Sequence, residues 1–150
     1  MEDRTELPQD VALLLSQLRV GLAARGDLVG VYVYGSLATG DYSLACSDID
    51  VIVMVEREPD KAALRELAEL PKALLTSSSS AAERLNCLYV PVEAGPDPAR
   101  HHNYWFGNRM TQWQLKVMTQ AELASAGAAL YGPWPPPGIA PVPIEAVQAL

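Results

Sequence analysis

The sequence predicts an α/β or α+β domain in which helices pack on a central sheet. Three segments, at 28–35, 48–56 and 84–92, are rich in the β-branched and aromatic residues that favour strands. Segments with the apolar period of an α-helix accompany them. The predicted order is helix, strand, strand, helix, strand, helix, and 150 residues are enough for one domain with a single core.

The first helix is predicted over residues 7–26, with Asp10 as a suitable N-cap and Gly26 as a suitable end. Apolar residues recur between them at helical spacing: Val11, Leu14, Leu15, Leu18 and Leu22. Strands follow at 28–35 and 48–56. Because the second of these is apolar on both faces beyond its acids, it suits a central strand covered on both sides.

The middle of the chain predicts one more helix and one more strand. Residues 60–70 are helical in period, and Pro71 either closes this helix or opens a new turn, since an interior proline removes a hydrogen bond. The serine-rich residues 75–84 are predicted to form a mobile connection. In the strand at 84–92, Pro91 indicates an edge position, a bulge or the end of the strand.

The last third of the chain predicts a loop, a long helix and a proline-rich segment. Residues 93–103 have loop composition, and residues 110–130 have helical periodicity. Residues 131–143 contain too many prolines for either element. A further helical pattern begins at 144–150.

Charge and composition disfavour several classes of function. The formal net charge of −7 argues against the sequence-independent grip on phosphate backbones that basic proteins use, so nucleic acid is not the expected partner. No apolar run approaches the roughly 18 residues that cross a bilayer, and the acidic N-terminus is unlike a signal peptide. We therefore expect no membrane partner and a cytoplasmic protein. Cys46 and Cys87 show neither a disulfide framework nor a zinc pattern and are expected to be buried thiols.

Two acids open the second predicted strand. Asp48 and Asp50 are two residues apart, so on a strand their side chains leave the same face, while Ile49 points the other way. Two carboxylates held this close repel one another and call for a cation. Oxygen ligands without a nearby His or Cys favour magnesium or manganese over zinc, and magnesium commonly arrives with phosphates.

A Gly-Ser pair ends the preceding strand. Gly35 lets the backbone approach a phosphate closely, and Ser36 together with loop amides can donate hydrogen bonds to phosphate oxygens. Antiparallel or neighbouring pairing of the two strands would bring this pair beside Asp48 and Asp50. A turn and a solvated strand end explain either motif alone; their order and spacing favour a phosphate and metal site.

Residues 34–50 resemble the Gly-Ser…Asp-x-Asp signature of the DNA polymerase β-like nucleotidyltransferase superfamily. Within it, residues 29–55 are most similar to the N-terminal domain of aminoglycoside nucleotidyltransferases of the streptomycin/spectinomycin adenylyltransferase type. A weaker likeness continues through 104–114 and 129–133 to 141–150. The resemblance implies the nucleotidyltransferase fold, with a small mixed central sheet flanked by helices.

The same resemblance implies a reaction and its residues. A nucleoside monophosphate would pass from a magnesium-bound nucleotide triphosphate, with ATP expected, to a hydroxyl of an aminoglycoside-like small molecule. Gly35 and Ser36 match the phosphate-binding pair, and Asp48 and Asp50 match the metal-binding acids. Ser47 precedes the acids as in the family and would hold a loop amide or a phosphate.

The sequence departs from the family at the third carboxylate, which usually lies on the next central strand. Asn86 occupies the matching position and completes the predicted catalytic set with Asp48 and Asp50. An amide oxygen can ligate a metal weakly, but it cannot act as a general base at neutral pH. Glu83 and Glu93 would replace it only in a register shifted by several residues.

A second departure is length. We expect a nucleotidyltransferase domain at 1–132 and a proline-rich tail with the start of a helix at 133–150, without the C-terminal helical domain of the family. The chain is then either a fragment or a one-domain relative whose cleft a second protein or domain completes.

Other residues favour structural roles. His101 and His102 are expected to form a surface pair in a loop, since adjacent side chains diverge and chelate poorly. Arg109 and Lys116 reach a triphosphate only if their helix flanks the cleft. An aromatic cluster fills core or an interface, or alternatively stacks a base or sugar; it comprises Tyr104, Trp105, Phe106 and Trp113.

Two functions follow from these observations. The first is the magnesium-dependent nucleotidyltransferase described above. The second is a catalytically weakened nucleotide-binding or regulatory module, or a nucleotidyltransferase-type antitoxin that acts on a protein partner. Asp48 and Asp50 support the first function, whereas Asn86 and the missing C-terminal domain support the second.

Overall fold

The computed structural model describes residues 8–35, 48–77, 80–94, 97–137 and 139. Within these residues the helices are α1 (Gln9–Ala23), α2 (Lys61–Ser77) and α3 (Val117–Ala126). The strands are β1 (Leu28–Tyr34), β2 (Ile49–Val55), β3 (Leu85–Pro91), β4 (His101–Phe106), β5 (Arg109–Gln114) and β6 (Ala128–Tyr131). Two short 3₁₀ helices lie at Ser80–Arg84 and Val92–Ala94.

The six strands form one mixed sheet in the order β5-β4-β3-β2-β1-β6. Strands β2 and β3 are parallel, and every other neighbouring pair is antiparallel. A parallel pair requires a crossover connection, which α2 supplies. The predicted fold class, a small mixed sheet flanked by helices, is confirmed, and the three predicted strands are β1, β2 and β3 at its centre.

Alternation along the strands divides the core between the two faces of the sheet. In β2, Ile49, Val51 and Val53 are buried against the apolar faces of α1 and α2. Ile52 and Met54 point to the opposite face, where Leu123 of α3 packs on them. Each fully buried side chain of this kind contributes about 1.5–3 kcal/mol. Asp50 is two residues before Ile52 on β2 and therefore lies on the same face of the sheet, the face that carries α3.

The predicted long helix at 110–130 is wrong. The segment instead contains most of β5, then the two residues 115 and 116 outside any helix or strand, then the shorter helix α3 and most of β6. Gly107 and Asn108 adopt positive φ angles of 59° and 62°, the conformation of a two-residue hairpin turn that twists with its strands. The hairpin therefore continues the sheet through β5, and helical geometry begins only at Val117.

The structure also decides the predictions made for Pro71, for the connection at 75–84 and for Pro91. Helix α2 runs through Pro71 to Ser77, so Pro71 neither closes it nor opens a turn. The connection predicted at 75–84 contains the end of α2 and a 3₁₀ helix, with 78 and 79 outside the described residues. Pro91 is the last residue of the internal strand β3, which leaves the strand-end alternative and excludes the edge position.

The loop predicted at 93–103 is also shorter than expected, because β4 already begins at His101. His102 is therefore a strand residue and is buried, which corrects the predicted surface pair, whereas His101 is exposed. The buried thiol predicted for Cys87 is confirmed, and Cys46 lies outside the described residues. Among the residues described, no helix combines the length and apolarity that a membrane crossing requires.

Candidate active site

The antiparallel pairing of β1 with β2 brings the first motif against the second. Tyr34 is the register partner of Asp50, so Gly35 follows directly beside that carboxylate. Gly35 has a φ of +71°, and a Cβ added to it would lie 2.8 Å from Oδ2 of Asp50. Glycine is thus required here both by the backbone conformation and by the close approach of Asp50.

The two acids occupy the start of β2. Asp48 is exposed and immediately precedes the strand, whereas Asp50 is half-buried on its α3 face and Ile49 is fully buried on the other. Burial raises the pKa of Asp50, and the nearby Asp48 and Glu122 carboxylates raise it further, while a hydrogen bond from Asn86 lowers it. The charges that act on Asp50 are therefore themselves negative.

Asn86 lies directly beside Asp50 in the parallel β2–β3 register. Its Nδ2 donates a hydrogen bond of 3.2 Å to Oδ1 of Asp50. Glu93 is elsewhere: it accepts a hydrogen bond from the backbone of Glu58 beyond the far end of β3. Glu83 is exposed on the 3₁₀ helix before β3. The register therefore places an amide, rather than one of these carboxylates, next to Asp50.

Two tyrosines share this face with the acids. The pKa of Tyr34 is raised far above its usual value by burial and then by Asp50. The pKa of Tyr104 is raised to about 12, again first by burial and then by Asp50 and Asp48. Both phenols therefore remain protonated at neutral pH and are available as hydrogen-bond donors.

Glu122 on α3 was not expected at this site. Helix α3 packs against β1, and the Glu122 carboxylate raises the pKa of both Asp50 and Tyr34. Nothing in the local sequence marks this glutamate, because its position depends on where the hairpin ends and α3 docks. The acidic character of the site is thus a tertiary property.

Several predicted residues lie away from these groups or outside the described part of the chain. Ser36 and Ser47 fall in the second category. Arg109 begins the edge strand β5, and Lys116 precedes α3 with its Nζ 4.8 Å from the centre of the Trp113 ring. The structure therefore brings together Gly35, Asp50 and Asn86, with Asp48 close enough to act on Asp50 electrostatically.

The donor set fits a hard divalent cation in part. Asp48 and Asp50 offer oxygen ligands in an acidic environment, and magnesium characteristically takes one or two carboxylates and completes its octahedron with water and phosphate oxygens. Across the described ranges, no group of three or more His, Cys, Asp or Glu side chains is arranged to hold a metal ion. Such a cation would therefore need ligands in addition to these two side chains.

Comparisons with known proteins agree with this architecture. Residues 15–81 match the family model of the nucleotidyltransferase domain, a stretch that contains Gly35, Asp48 and Asp50 but ends before Asn86. None of the curated proteins compared with the chain gives a significant match.

The chain resembles solved structures to different degrees. The spectinomycin adenyltransferase AAD(9) from Enterococcus faecialis, solved with ATP and spectinomycin, has a TM-score of 0.66 at 15% identity, covering 94% of this chain and 62% of that one. A toxin–antitoxin structure with AMP-PNP gives a TM-score of 0.45 at 18% identity, covering 79% and 73%. A Shewanella oneidensis complex of a tri-AMPylated HEPN toxin with an MNT antitoxin gives 0.43 at 18%, covering 81% and 72%.

The chain spans 62% of the length of the spectinomycin adenyltransferase that it matches. That likeness covers nearly all of this chain and includes the mixed sheet, and the family model independently covers the segment with both sequence motifs. This chain therefore has the nucleotidyltransferase fold, and its residues 15–81 are similar to the nucleotidyltransferase domain.

Proposed function

We propose that the protein is a magnesium-dependent nucleotidyltransferase that transfers a nucleoside monophosphate from ATP to a hydroxyl of an aminoglycoside-like small molecule. The observation that carries the proposal is the contact between Gly35 and Asp50, where a residue without a side chain meets a carboxylate in an acidic site. A polyphosphate and its cation need such a place, because the backbone must approach the phosphates while carboxylates hold the metal. Such a protein would work in the cytoplasm, where ATP is abundant.

In this proposal different residues bind different parts of the magnesium nucleotide. Gly35, Ser36 and Ser47 bind the triphosphate, and Asp48 and Asp50 hold magnesium, with manganese as the alternative ion. A magnesium ion held by Asp48 and Asp50 would supply positive charge to neutralise the charge that develops on the phosphates during transfer. The protonated Tyr34 and Tyr104 hydroxyls offer hydrogen-bond donors on the same face.

The transfer itself is an in-line displacement. The acceptor oxygen forms a bond to the α-phosphorus, the bond to the bridging oxygen breaks, and pyrophosphate leaves with the electron pair. The proton of the acceptor hydroxyl passes to water, since the Asn86 amide is not a base at neutral pH. Positioning and electrostatics, rather than a strong general base, would then supply most of the rate.

A second candidate function follows from Asn86 itself. Its amide hydrogen bond takes up an oxygen of Asp50 at the position where the family has a carboxylate. This favours a weakened nucleotide-binding or regulatory module, or an antitoxin that acts on a protein partner. In either function, we propose that a second protein or domain completes the cleft, as a C-terminal helical domain does in the resistance enzymes that the two motifs resemble.

Transfer of label from α-³²P-ATP tests the proposal. The protein is incubated with magnesium and a panel of aminoglycosides, beside Asp48→Ala, Asn86→Asp and the control Glu56→Ala, which removes an exposed acid from the other end of β2. Transfer by the wild type and by Glu56→Ala, but not by Asp48→Ala, supports the enzyme. Transfer only by Asn86→Asp supports the weakened module. Equal transfer by the wild type and Asp48→Ala contradicts both.

A further inference from the structure

A row of side chains crosses the sheet at the level of Asp50. Tyr34, Asp50 and Asn86 are neighbours in register on β1, β2 and β3 and therefore point to the same face. On β4, Tyr104 and Trp105 are the partners of Leu88 and Cys87, and continuing this antiparallel register by one more pair sets Phe106 opposite Asn86. Since neighbouring strands lie about 4.8 Å apart, Phe106 is about 10 Å from Asp50 across the sheet.

Phe106 and Tyr104 form a stacked aromatic pair on this face. Their ring centroids are 5.5 Å apart, and the ring planes are inclined by 15°. Tyr104 is partly buried against the apolar cluster under α3, whereas Phe106 is 50% exposed. The Tyr104 hydroxyl lies within electrostatic reach of Asp50 and Asp48. An exposed ring that stacks on its neighbour, on the face of the sheet that carries Asp50, is a surface against which a ligand ring can pack.

The direction of the in-line displacement indicates which of the two substrates, ATP or the acceptor, lies against this aromatic surface. Gly35, the phosphate-binding end of the proposed site, lies on the β1 side of Asp50, whereas Asn86 and Phe106 lie on the β3–β4 side. In an in-line transfer the acceptor oxygen approaches opposite the leaving pyrophosphate. The acceptor therefore approaches from the side of the aromatic pair, an argument that rests on the proposed function.

We propose that the Tyr104–Phe106 pair is the platform on which the acceptor of the proposed function binds, with a C–H face and an ammonium group of its saturated ring against the aromatic face. An aromatic face attracts cations and packs against the C–H face of such a ring. Glu122, which the proposed magnesium site does not use, acts electrostatically on both Tyr34 and Asp50, so a carboxylate remains on this face of the sheet to complement ammonium groups. A nucleobase lacks this positive charge, so it gains less electrostatic attraction from the carboxylates on this face.

Saturation-transfer NMR with spectinomycin, streptomycin and kanamycin as probes tests the platform, with separate calorimetric titrations of each probe and of magnesium-ATP. The test variant is Phe106→Ala. Leu13→Ala is the matched control, because Leu13 is a similarly exposed large apolar side chain, 54% against 50%, on the helix at the opposite face. Phe106→Trp keeps an aromatic face at the position.

We expect at least one probe to bind the wild type, with its Kd raised about tenfold by Phe106→Ala and nearly restored by Phe106→Trp, since such ring contacts contribute about 1–2 kcal/mol. The Kd of magnesium-ATP stays within about twofold, and Leu13→Ala changes neither Kd. The proposal is overturned if no probe binds the wild type or if Phe106→Ala leaves probe binding unchanged. It is also overturned if that variant weakens ATP instead, which would make the pair a nucleobase site.

The outcomes separate this inference from the proposed function. Loss of magnesium-ATP binding in Asp50→Ala, with probe binding insensitive to Phe106→Ala, leaves the function standing and removes the platform. Probe binding that depends on Phe106, in a protein that does not bind magnesium-ATP, keeps the platform and removes the transferase function.

Discussion

Asn86 donates a hydrogen bond of 3.2 Å from its Nδ2 to Oδ1 of Asp50 across the only parallel strand pair among the described strands. The bond offsets part of the cost of burying Asp50 near two other carboxylates. It also directs a donor at an oxygen that a metal ion would use. The same pair of residues therefore favours the apo fold and opposes tight metal binding.

Replacing Asn86 by aspartate should reverse this balance. We expect Asn86→Asp to bind magnesium about tenfold more tightly and to lower the free energy of unfolding of the metal-free protein by about 1–3 kcal/mol, because a hydrogen bond is lost and like charges meet. Calorimetric titration with magnesium and urea unfolding measure the two effects. Asn108→Asp makes the same change in the exposed hairpin turn and should do neither. Unchanged magnesium affinity in Asn86→Asp would contradict the assignment of this position.

Gly35 permits a test in which backbone strain is separated from steric contact. Gly35→Ala adds a Cβ 2.8 Å from Oδ2 of Asp50 at a φ of +71°, whereas Gly26→Ala adds one at +83° with nothing within 4 Å. Both variants should lose about 1 kcal/mol of stability, since L residues disfavour this conformation. Only Gly35→Ala should also lose magnesium-ATP binding, measured by calorimetry. Equal nucleotide binding by both variants would count against a cradle at Gly35.

His102 should make stability depend on pH. Its ring is buried with both nitrogens unpartnered, and its pKa is lowered by burial and then by Arg100, with Glu58 and Asp97 acting in the opposite direction and His101 in the same one. Below the ordinary value of 6.5 the unfolded chain takes up the proton first, so stability falls as pH drops from 7 to 5.

His102→Phe should reduce that decline, by up to about 1.4 kcal/mol per pH unit, in urea unfolding measured across this range. His101→Phe, which replaces the exposed neighbouring ring, is the control. The same pH profile in the wild type and in His102→Phe would show that this imidazole is not the group responsible.

Tyr32 connects the sheet to the segment after β6. Its hydroxyl donates a hydrogen bond of 2.6 Å to the carbonyl of Pro133, and its ring meets Trp134 at 6.1 Å. Tyr32→Phe keeps the ring and should lower the free energy of unfolding by about 1 kcal/mol. Tyr131→Phe, at an exposed ring nearby, should change it little. A difference of less than a few tenths of a kcal/mol between the two variants would contradict this role of Tyr32.

The sequence predicted the centre of the fold well because its signals are local. Each apolar run that became β1, β2 or β3 forms one strand of seven residues, and Asp50 and Asn86 meet because β2 and β3 pair in simple register. Periodicity failed after residue 106, where Met110, Trp113 and Leu115 suit a helix as well as a strand. A signal for a turn was present in Gly107 and Asn108, residue types that adopt the positive φ angles by which the chain reverses direction between β4 and β5.

Neither the proposed Tyr104–Phe106 platform nor the acidity contributed by Glu122 could be predicted from local sequence patterns, because both depend on the part of the chain that was assigned wrongly to one long helix. Once residues 110–130 are assigned to one helix, Phe106 has no strand partner and Glu122 has no position relative to Asp50. Both relationships depend on β4 and β5 extending the sheet and on α3 docking against β1.

Magnesium-dependent binding of ATP tests the central claim most directly, because it requires no knowledge of the acceptor. Titration calorimetry should show ATP binding to the wild type that requires magnesium, and a loss of about tenfold or more in Asp50→Ala, with Glu56→Ala as the unaffected control. ATP binding that ignores both magnesium and Asp50, or no ATP binding at all, would contradict the claim that Gly35 and the Asp48–Asp50 pair form a nucleotide and metal site.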